Sequence, residues 1–134
     1  VKQQAVIIDL DGTSTLDPRS KNLGKPNEEV IHVVHLLCRW GGFVPIFITG
    51  RLEAHRPSVK TFITSLFGAV GATAAIHMRK PDDTADDPAY KLRIYREHIE
   101  PQYDTRIVLE DRPSTVAMWR SIGLQCWQVA EGPE

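Results

Sequence analysis

Three short stretches of this 134-residue chain concentrate reactive side chains. Asp9, Asp11, Gly12 and Thr13 follow one apolar run, Thr49, Gly50 and Arg51 follow a second, and Glu110, Asp111 and Arg112 follow a later one. Together they offer carboxylates, hydroxyls, two guanidinium groups and glycines whose backbone an anion can approach. Carboxylates crowded into one place repel, which raises their pKa values and opposes folding. A divalent cation removes that conflict. An oxygen donor set without clustered His or Cys favours Mg²⁺ over zinc or copper, and Mg²⁺ takes one or two carboxylates while leaving room for a phosphate oxygen. Arg51 and Arg112 suit the remaining oxygens of such a group through charge-assisted hydrogen bonds. An aspartate can attack phosphorus and become an aspartyl phosphate. A second aspartate two residues on can protonate the departing oxygen and later take a proton from water.

These stretches meet only if the elements before them are parallel strands. Val6-Ile7-Ile8 reads as a buried strand, Phe43 to Ile48 as a second, Ala74-Ala75-Ile76 as a third, Arg106 to Leu109 as a fourth and Leu124 to Val129 as a fifth. Pro45 must then sit where no ladder donor is needed. Helices are expected between them. Asn27 opens one whose apolar positions Val30, Val33, Val34, Leu37 and Cys38 recur at helical steps before Gly41-Gly42. Pro57 begins another that runs to Phe67 and is closed by Gly68, and Asp87-Pro88 provides an N-cap and first-turn pair for one reaching Ile99. Ser114 to Ile122 forms the last, ended by Gly123. This alternation predicts an α/β, Rossmann-like three-layer sandwich around a parallel sheet of about five strands, with a minimal cap or none. In such sheets ligands bind beyond the carboxyl ends of the strands, where all three reactive stretches fall.

Composition narrows the partners. The chain is 42% hydrophobic and carries 16 basic against 17 acidic side chains, a net charge of −1 that disfavours a broad basic nucleic-acid surface. A polynucleotide would have to be gripped locally. No apolar run reaches the ~20 residues of a membrane span. Two isolated cysteines, Cys38 and Cys126, form no disulfide framework, and no basic-then-apolar leader opens the chain, so a reducing, cytoplasmic setting is expected. Val1 in place of Met points to an excised or processed domain.

The order of the pieces resembles the haloacid dehalogenase superfamily of aspartate-dependent phosphatases. Asp9-Leu10-Asp11-Gly12-Thr13 is similar to its first motif, Ile48-Thr49-Gly50-Arg51 to its second and Leu109-Glu110-Asp111 to its fourth. For the third motif, a lysine opening a late helix, Lys91 is the candidate, since Lys80 lies in a Pro- and Asp-rich loop ahead of it. Glu110-Asp111-Arg112, Met118-Trp119-Arg120, Gly123 and Cys126 to Ala130 extend the resemblance to the 3'-phosphatase domain of bacteriophage-type polynucleotide kinase-phosphatases, over Ala5 to about Gly132.

The resemblance implies that Asp9 is the nucleophile and Asp11 the general acid-base. Asp9, the backbone carbonyl of Asp11 and the side chain of Asp111 would bind Mg²⁺. Thr49 and Lys91 would hold the phosphate, Thr13, Arg51 and Arg112 would lie on the substrate side, and Asp87 and Glu110 would orient their neighbours. Glu110 stands where the family commonly has aspartate, so its reach differs, and either Asp86 or Asp87 could pair with Lys91, with Asp87 favoured by its helical spacing. The implied substrate is a 3'-phosphorylated DNA or RNA end, with a kinase domain in the same longer chain and a ligase in the same pathway as partners. No G-x-x-x-x-G-K-[ST] occurs, so only the phosphatase half is expected here.

Other readings compete. A phosphatase of the same superfamily acting on nucleotides or small phosphomonoesters would share the motifs, and a phospho-accepting or end-binding module would not need every catalytic carboxylate. Asp9 to Gly12 does not fit a calcium loop, whose glycine is sixth and whose twelfth residue is Glu where this chain has Ser20. His32 and His35 lack an evident third ligand. Cys38, Cys126, Trp40, Trp119 and Trp127 are expected to be packing residues. His55, Arg56, Lys60, Arg79 and Lys80 either line a strand-binding groove or are scattered solvated charge.

Overall fold

The computed structural model describes residues 1–17 and 23–134. Ser20 and its neighbours lie outside the described residues. Five parallel strands, β1 (Gln3–Ile8), β2 (Val44–Leu52), β3 (Ala75–Arg79), β4 (Tyr103–Glu110) and β5 (Cys126–Gln128), form one sheet in the order β3-β2-β1-β4-β5. Between them run α1 (Glu28–Arg39), α2 (Arg56–Phe67), the short α3 (Ala69–Ala72), α4 (Asp87–Ile94) and α5 (Pro113–Ser121). The α/β sandwich read from the alternation is the observed architecture.

Strand pleating sorts the core into two layers, because successive side chains point to opposite faces. Ala5 and Ile7 of β1 and Ile46 and Ile48 of β2 pack with Tyr90, Ile94, Val116 and Trp119 from α4 and α5. Val6, Ile8 and Phe47 pack on the other face with Val30 and Val34 of α1 and Val59, Ile63 and Phe67 of α2. Trp119 is fully buried and meets Tyr95 edge-on at 5.6 Å. Burying each large apolar side chain contributes about 1.5–3 kcal/mol.

Element ends follow local chemistry. Asn27 caps α1 by accepting from the Val30 amide at 3.4 Å, Pro57 lies in the first turn of α2, and Gly68 ends α2 at φ 60°. Pro45 pairs with Val6 of β1, and pairing with β3 begins only at Ile46, so β2 has a ladder partner on one side alone at the proline. The cap of α4 is a correction: Asp86, not Asp87, accepts from the Ala89 amide, at 2.9 Å. Asp87 is the first helical residue, which turns its carboxylate toward the sheet's carboxyl edge. Beyond α4 the chain continues through a wider turn over residues 95–99, so the helical stretch ends at Ile99 as the sequence implied.

The tryptophans divide. Trp119 is core, but Trp40 is 86% exposed after the end of α1 and Trp127 is 40% exposed on the edge strand β5, which corrects their assignment to packing. Cys126 is buried and Cys38 half-buried. No helix among the described residues is long and apolar enough to cross a membrane.

Candidate active site

Strand order places β1 between β2 and β4, so the carboxyl ends of those three strands adjoin. Chain direction across the sheet reverses at β1, the kind of switch point where open parallel sheets bind ligands. Residues 10–14 form a tight turn immediately after β1, with Gly12 at φ 79°, a left-handed conformation that glycine adopts without steric cost. The turn is locked by buried hydroxyls: Ser14 Oγ donates to the Asp9 carbonyl at 2.8 Å, and the Gly12 amide donates to Thr15 Oγ1 at 3.2 Å. A bridge between Thr15 and Pro26 then draws the chain back toward α1.

Asp9 sits at the centre. Its Oδ1 accepts from Lys91 Nζ at 2.8 Å and its Oδ2 from Thr13 Oγ1 at 3.0 Å. Thr13 Oγ1 also lies 3.2 Å from Asp111 Oδ1, and with one proton it can serve one carboxylate at a time. Lys91, only 2% exposed, reaches Glu110 Oε2 at 2.8 Å and Asp87 Oδ2 at 3.4 Å as well. An ammonium ion buried this deeply is tolerated only because anions surround it. Lys91 is therefore a buried member of the acidic cluster and not a solvated helix residue.

Protonation follows from this arrangement. Burial alone would raise the Asp9 pKa, but Lys91 and hydrogen bonds from Asp111, Lys91 and Glu110 outweigh it and hold the carboxyl below its usual range. Burial likewise opposes charge on Lys91, yet Asp9, Glu110 and Asp87 keep its pKa well above normal. Glu110 is pushed far up by burial and by the Asp9 charge. Asp111 is pushed up to about 7 by burial and by its hydrogen bond and proximity to Asp9. Asp9 is thus favoured as the carboxylate, while Glu110 and Asp111 hold a proton more tightly than ordinary carboxyls do.

Asp11 points elsewhere. Its carboxylate receives both edges of the Arg51 guanidinium, Nε at 2.9 Å and Nη2 at 2.7 Å, a bidentate pair at the partly open mouth of the site. Thr49 is buried within the last half of β2, its Oγ1 accepting from the Arg51 amide at 3.2 Å. Arg112 is tied to the C-terminal segment: Nη1 donates to the Glu134 carbonyl at 2.7 Å, and Nε lies 3.7 Å from Asp87 Oδ2. Of the basic residues considered for a strand groove, Arg56 pairs with Glu53 and Arg79 with Asp83, Arg79 also stacking over the Tyr90 ring at 4.3 Å.

Oxygens of Asp9, Glu110 and Asp111 all lie within 4.8 Å of one another, the convergence a cation needs. Glu110 is already committed, with Oε2 on Lys91 and Oε1 accepting from the Asp111 and Arg112 amides at 3.1 and 3.4 Å. The raised pKa values of Asp111 and Glu110 mark anionic charge for which the protein itself supplies one buried ammonium. A small divalent cation fits this oxygen donor set.

A family model of the polynucleotide kinase PNKP phosphatase domain matches residues 3–133. The chain belongs to that family. In an alignment of 127 residues that covers 89% of this chain, it is 28% identical to the "Putative bifunctional polynucleotide kinase/RNA ligase" of Autographa californica nuclear polyhedrosis virus, of which it covers 18%. A chain in the structure of the Pnkp1/Rnl/Hen1 RNA repair complex superposes with TM-score 0.87 at 28% identity, covering 99% of this chain and 44% of that one. A second structure of the Pnkp1/Rnl/Hen1 complex gives TM-score 0.85 at 29% identity, with 99% and 48% covered. This PNKP phosphatase domain therefore spans less than half of these larger relatives.

The site of this family member includes residues that sequence reading passed over. Tyr90 OH donates to the Thr49 carbonyl at 2.9 Å and so braces the end of β2 against α4. Thr115 Oγ1 donates to Asp87 Oδ2 at 2.5 Å, linking α5 to the acidic partner of Lys91. Tyr90 occupies a core-facing helix position and Thr115 is an ordinary small polar residue, so neither announces itself. Ser14 carried more signal, as a hydroxyl one residue beyond the first motif.

Proposed function

We propose that this domain is a Mg²⁺-dependent polynucleotide 3'-phosphatase that removes the terminal phosphate from RNA or DNA ends through an aspartyl-phosphate intermediate. The observation that carries the reading is Asp9: buried, kept ionised by Lys91, and followed two residues later by a carboxylate that faces the open side of the site. An ionised carboxylate is the form that attacks phosphorus.

In this reading Arg51 turns from Asp11 to the incoming phosphate and Asp11 takes up a proton from solvent; an Asp9 oxygen then bonds to phosphorus as the bond to the 3'-oxygen breaks, and Asp11 gives that proton to the leaving oxygen. Asp11 then takes a proton from water, whose oxygen attacks the same phosphorus and releases inorganic phosphate and the Asp9 carboxylate. Thr49, Lys91, Thr13 and Arg51 hold the phosphoryl oxygens, and Arg112 borders the substrate side. Asp87 and Glu110 keep the Lys91 ammonium charged and in place. Asp9, Asp111 and the carbonyl of Asp11 would hold Mg²⁺, which when bound supplies positive charge that offsets the phosphate's own and that of the carboxylates.

Longer relatives named for kinase and ligase activities support a setting in which a kinase domain and a ligase act on the same ends. The test is phosphate release from a 3'-phosphorylated oligoribonucleotide and its DNA counterpart, with Mg²⁺ and with EDTA. Loss of release in Asp9→Asn is expected. Undiminished activity of that variant overturns the nucleophile, and equal efficiency on a nucleoside 3'-phosphate overturns the polymer in favour of a small-molecule phosphatase.

A further inference from the structure

The C-terminal segment after β5 runs back over the acidic edge. The Val129 amide donates to the Glu110 carbonyl at 3.0 Å, the Gly132 amide to the Asp111 carbonyl at 3.0 Å, and Gln128 Nε2 to the same carbonyl at 3.4 Å. Arg112 holds the strap farther along through the Glu134 carbonyl. The contact at Gly132 is unusually close. A Cβ there would stand 2.3 Å from Asp111 Oδ2, 2.7 Å from its carbonyl oxygen and 2.8 Å from its carbonyl carbon. Gly132 is not in a left-handed conformation, so its backbone does not require glycine. What requires glycine is the absence of room beside Asp111.

We infer that Gly132 is a positioning residue for the divalent cation: the bare α-carbon of the strap packs on one face of the Asp111 carboxylate and fixes the rotamer that turns Oδ1 toward Asp9 and Thr13. This rests on the Mg²⁺ reading of the site. Thr13 Oγ1 holds Asp111 Oδ1 from within the site at 3.2 Å, and Gly132 walls in Oδ2 from outside. The carboxylate is thereby oriented before a cation arrives, and that pre-orientation contributes to affinity because less freedom is lost on binding. A methyl group at 132 cannot be absorbed by the Asp111 backbone. Either the carboxylate swings out of its ligating position or the strap lifts away.

The experiment is direct titration of Mg²⁺, and of Mn²⁺ followed by its electron paramagnetic resonance signal, into the full chain and its Gly132→Ala variant, with thermal melting of both in EDTA. The expected result is an affinity lower by about 10- to 100-fold, the usual effect of disturbing a group that orients a metal ligand, with the melting temperature in EDTA unchanged. Unchanged affinity overturns the inference, and so does a loss of affinity that merely tracks a drop in melting temperature. A second variant, terminated after Ala130, removes Gly132 and its contact with Asp111 without adding bulk. It should weaken metal binding too, and full affinity in it also overturns the inference. Failure of the unaltered chain to bind either cation would instead overturn the Mg²⁺ reading itself.

Discussion

Lys91 and Asp9, 82 positions apart in sequence, meet with Nζ 2.8 Å from Oδ1 inside the protein, where the lysine is almost wholly shielded from water. One ammonium therefore serves as structural counter-ion to Asp9 and Glu110 and as the group that keeps Asp9 ionised. Lys91→Met should leave those carboxylates buried without their cation, costing about 3–5 kcal/mol of stability. Urea denaturation measures this, and a loss below about 1 kcal/mol would mean that the pair is solvated.

Asp11 is bound to Arg51 and lies outside the group of convergent carboxylates. Asp11→Asn should therefore lower phosphate release by about 10²- to 10⁴-fold while Mg²⁺ affinity, read by titration calorimetry, stays as in the unaltered chain. Equal loss of both would assign Asp11 a structural task.

Asp111 contributes one part of the pH dependence. Its carboxyl titrates near 7 in the folded, metal-free protein against 3.8 ordinarily, so between those values the folded state binds more protons than the unfolded chain. Its contribution to stability in EDTA is complete below the lower value and is lost as pH rises through the upper one. If Asp111 is a ligand of Mg²⁺, the cation would take the place of the proton. The rise in melting temperature on adding Mg²⁺ should accordingly be larger at about pH 8 than at about pH 6, and a gain independent of pH would remove Asp111 from the ligand set.

Tyr90→Phe removes the hydroxyl that braces the Thr49 carbonyl. About 0.5–1.5 kcal/mol of stability should go with it. If Tyr90 acts through Thr49, the variant should also show a raised KM for the 3'-phosphorylated oligonucleotide with kcat little changed. A fall in stability alone would make the tyrosine a packing residue.

How much of this was legible beforehand depends on the kind of signal. Apolar runs and their Gly, Pro and Asn punctuation disclosed each strand and main helix, because burial and capping leave local marks. Strand lengths were less legible: β2 continues through Thr49, Gly50 and Arg51 to Leu52, where side chains turn polar and periodicity fades. Asp86 and Asp87 are chemically alike, and only the rotation of α4 decides that one caps the helix while the other faces Lys91. Exposure of Trp40 and Trp127 was hidden for a related reason, since an aromatic near an element's end reads the same whether it packs inward or not. Gly132 was invisible because a glycine without a left-handed backbone signals nothing until its neighbour is placed.

The first strand in the chain lies in the middle of the sheet, and the wall beside it is β4. Thr13 and Asp111 are separated by 98 positions, so closing the site requires pairing across most of the domain. Such long-range parallel pairing is slow and comes late, after the entropy of a large loop has been lost. A ribosome-bound chain that has emitted only β1, α1, β2 and α2 would hold Asp9 with neither Lys91 nor Asp111 opposite. Any hydrolytic competence should thus appear abruptly, once β4 and the residues that follow it have emerged, and no piece of this domain ending before β4 should possess a fraction of it.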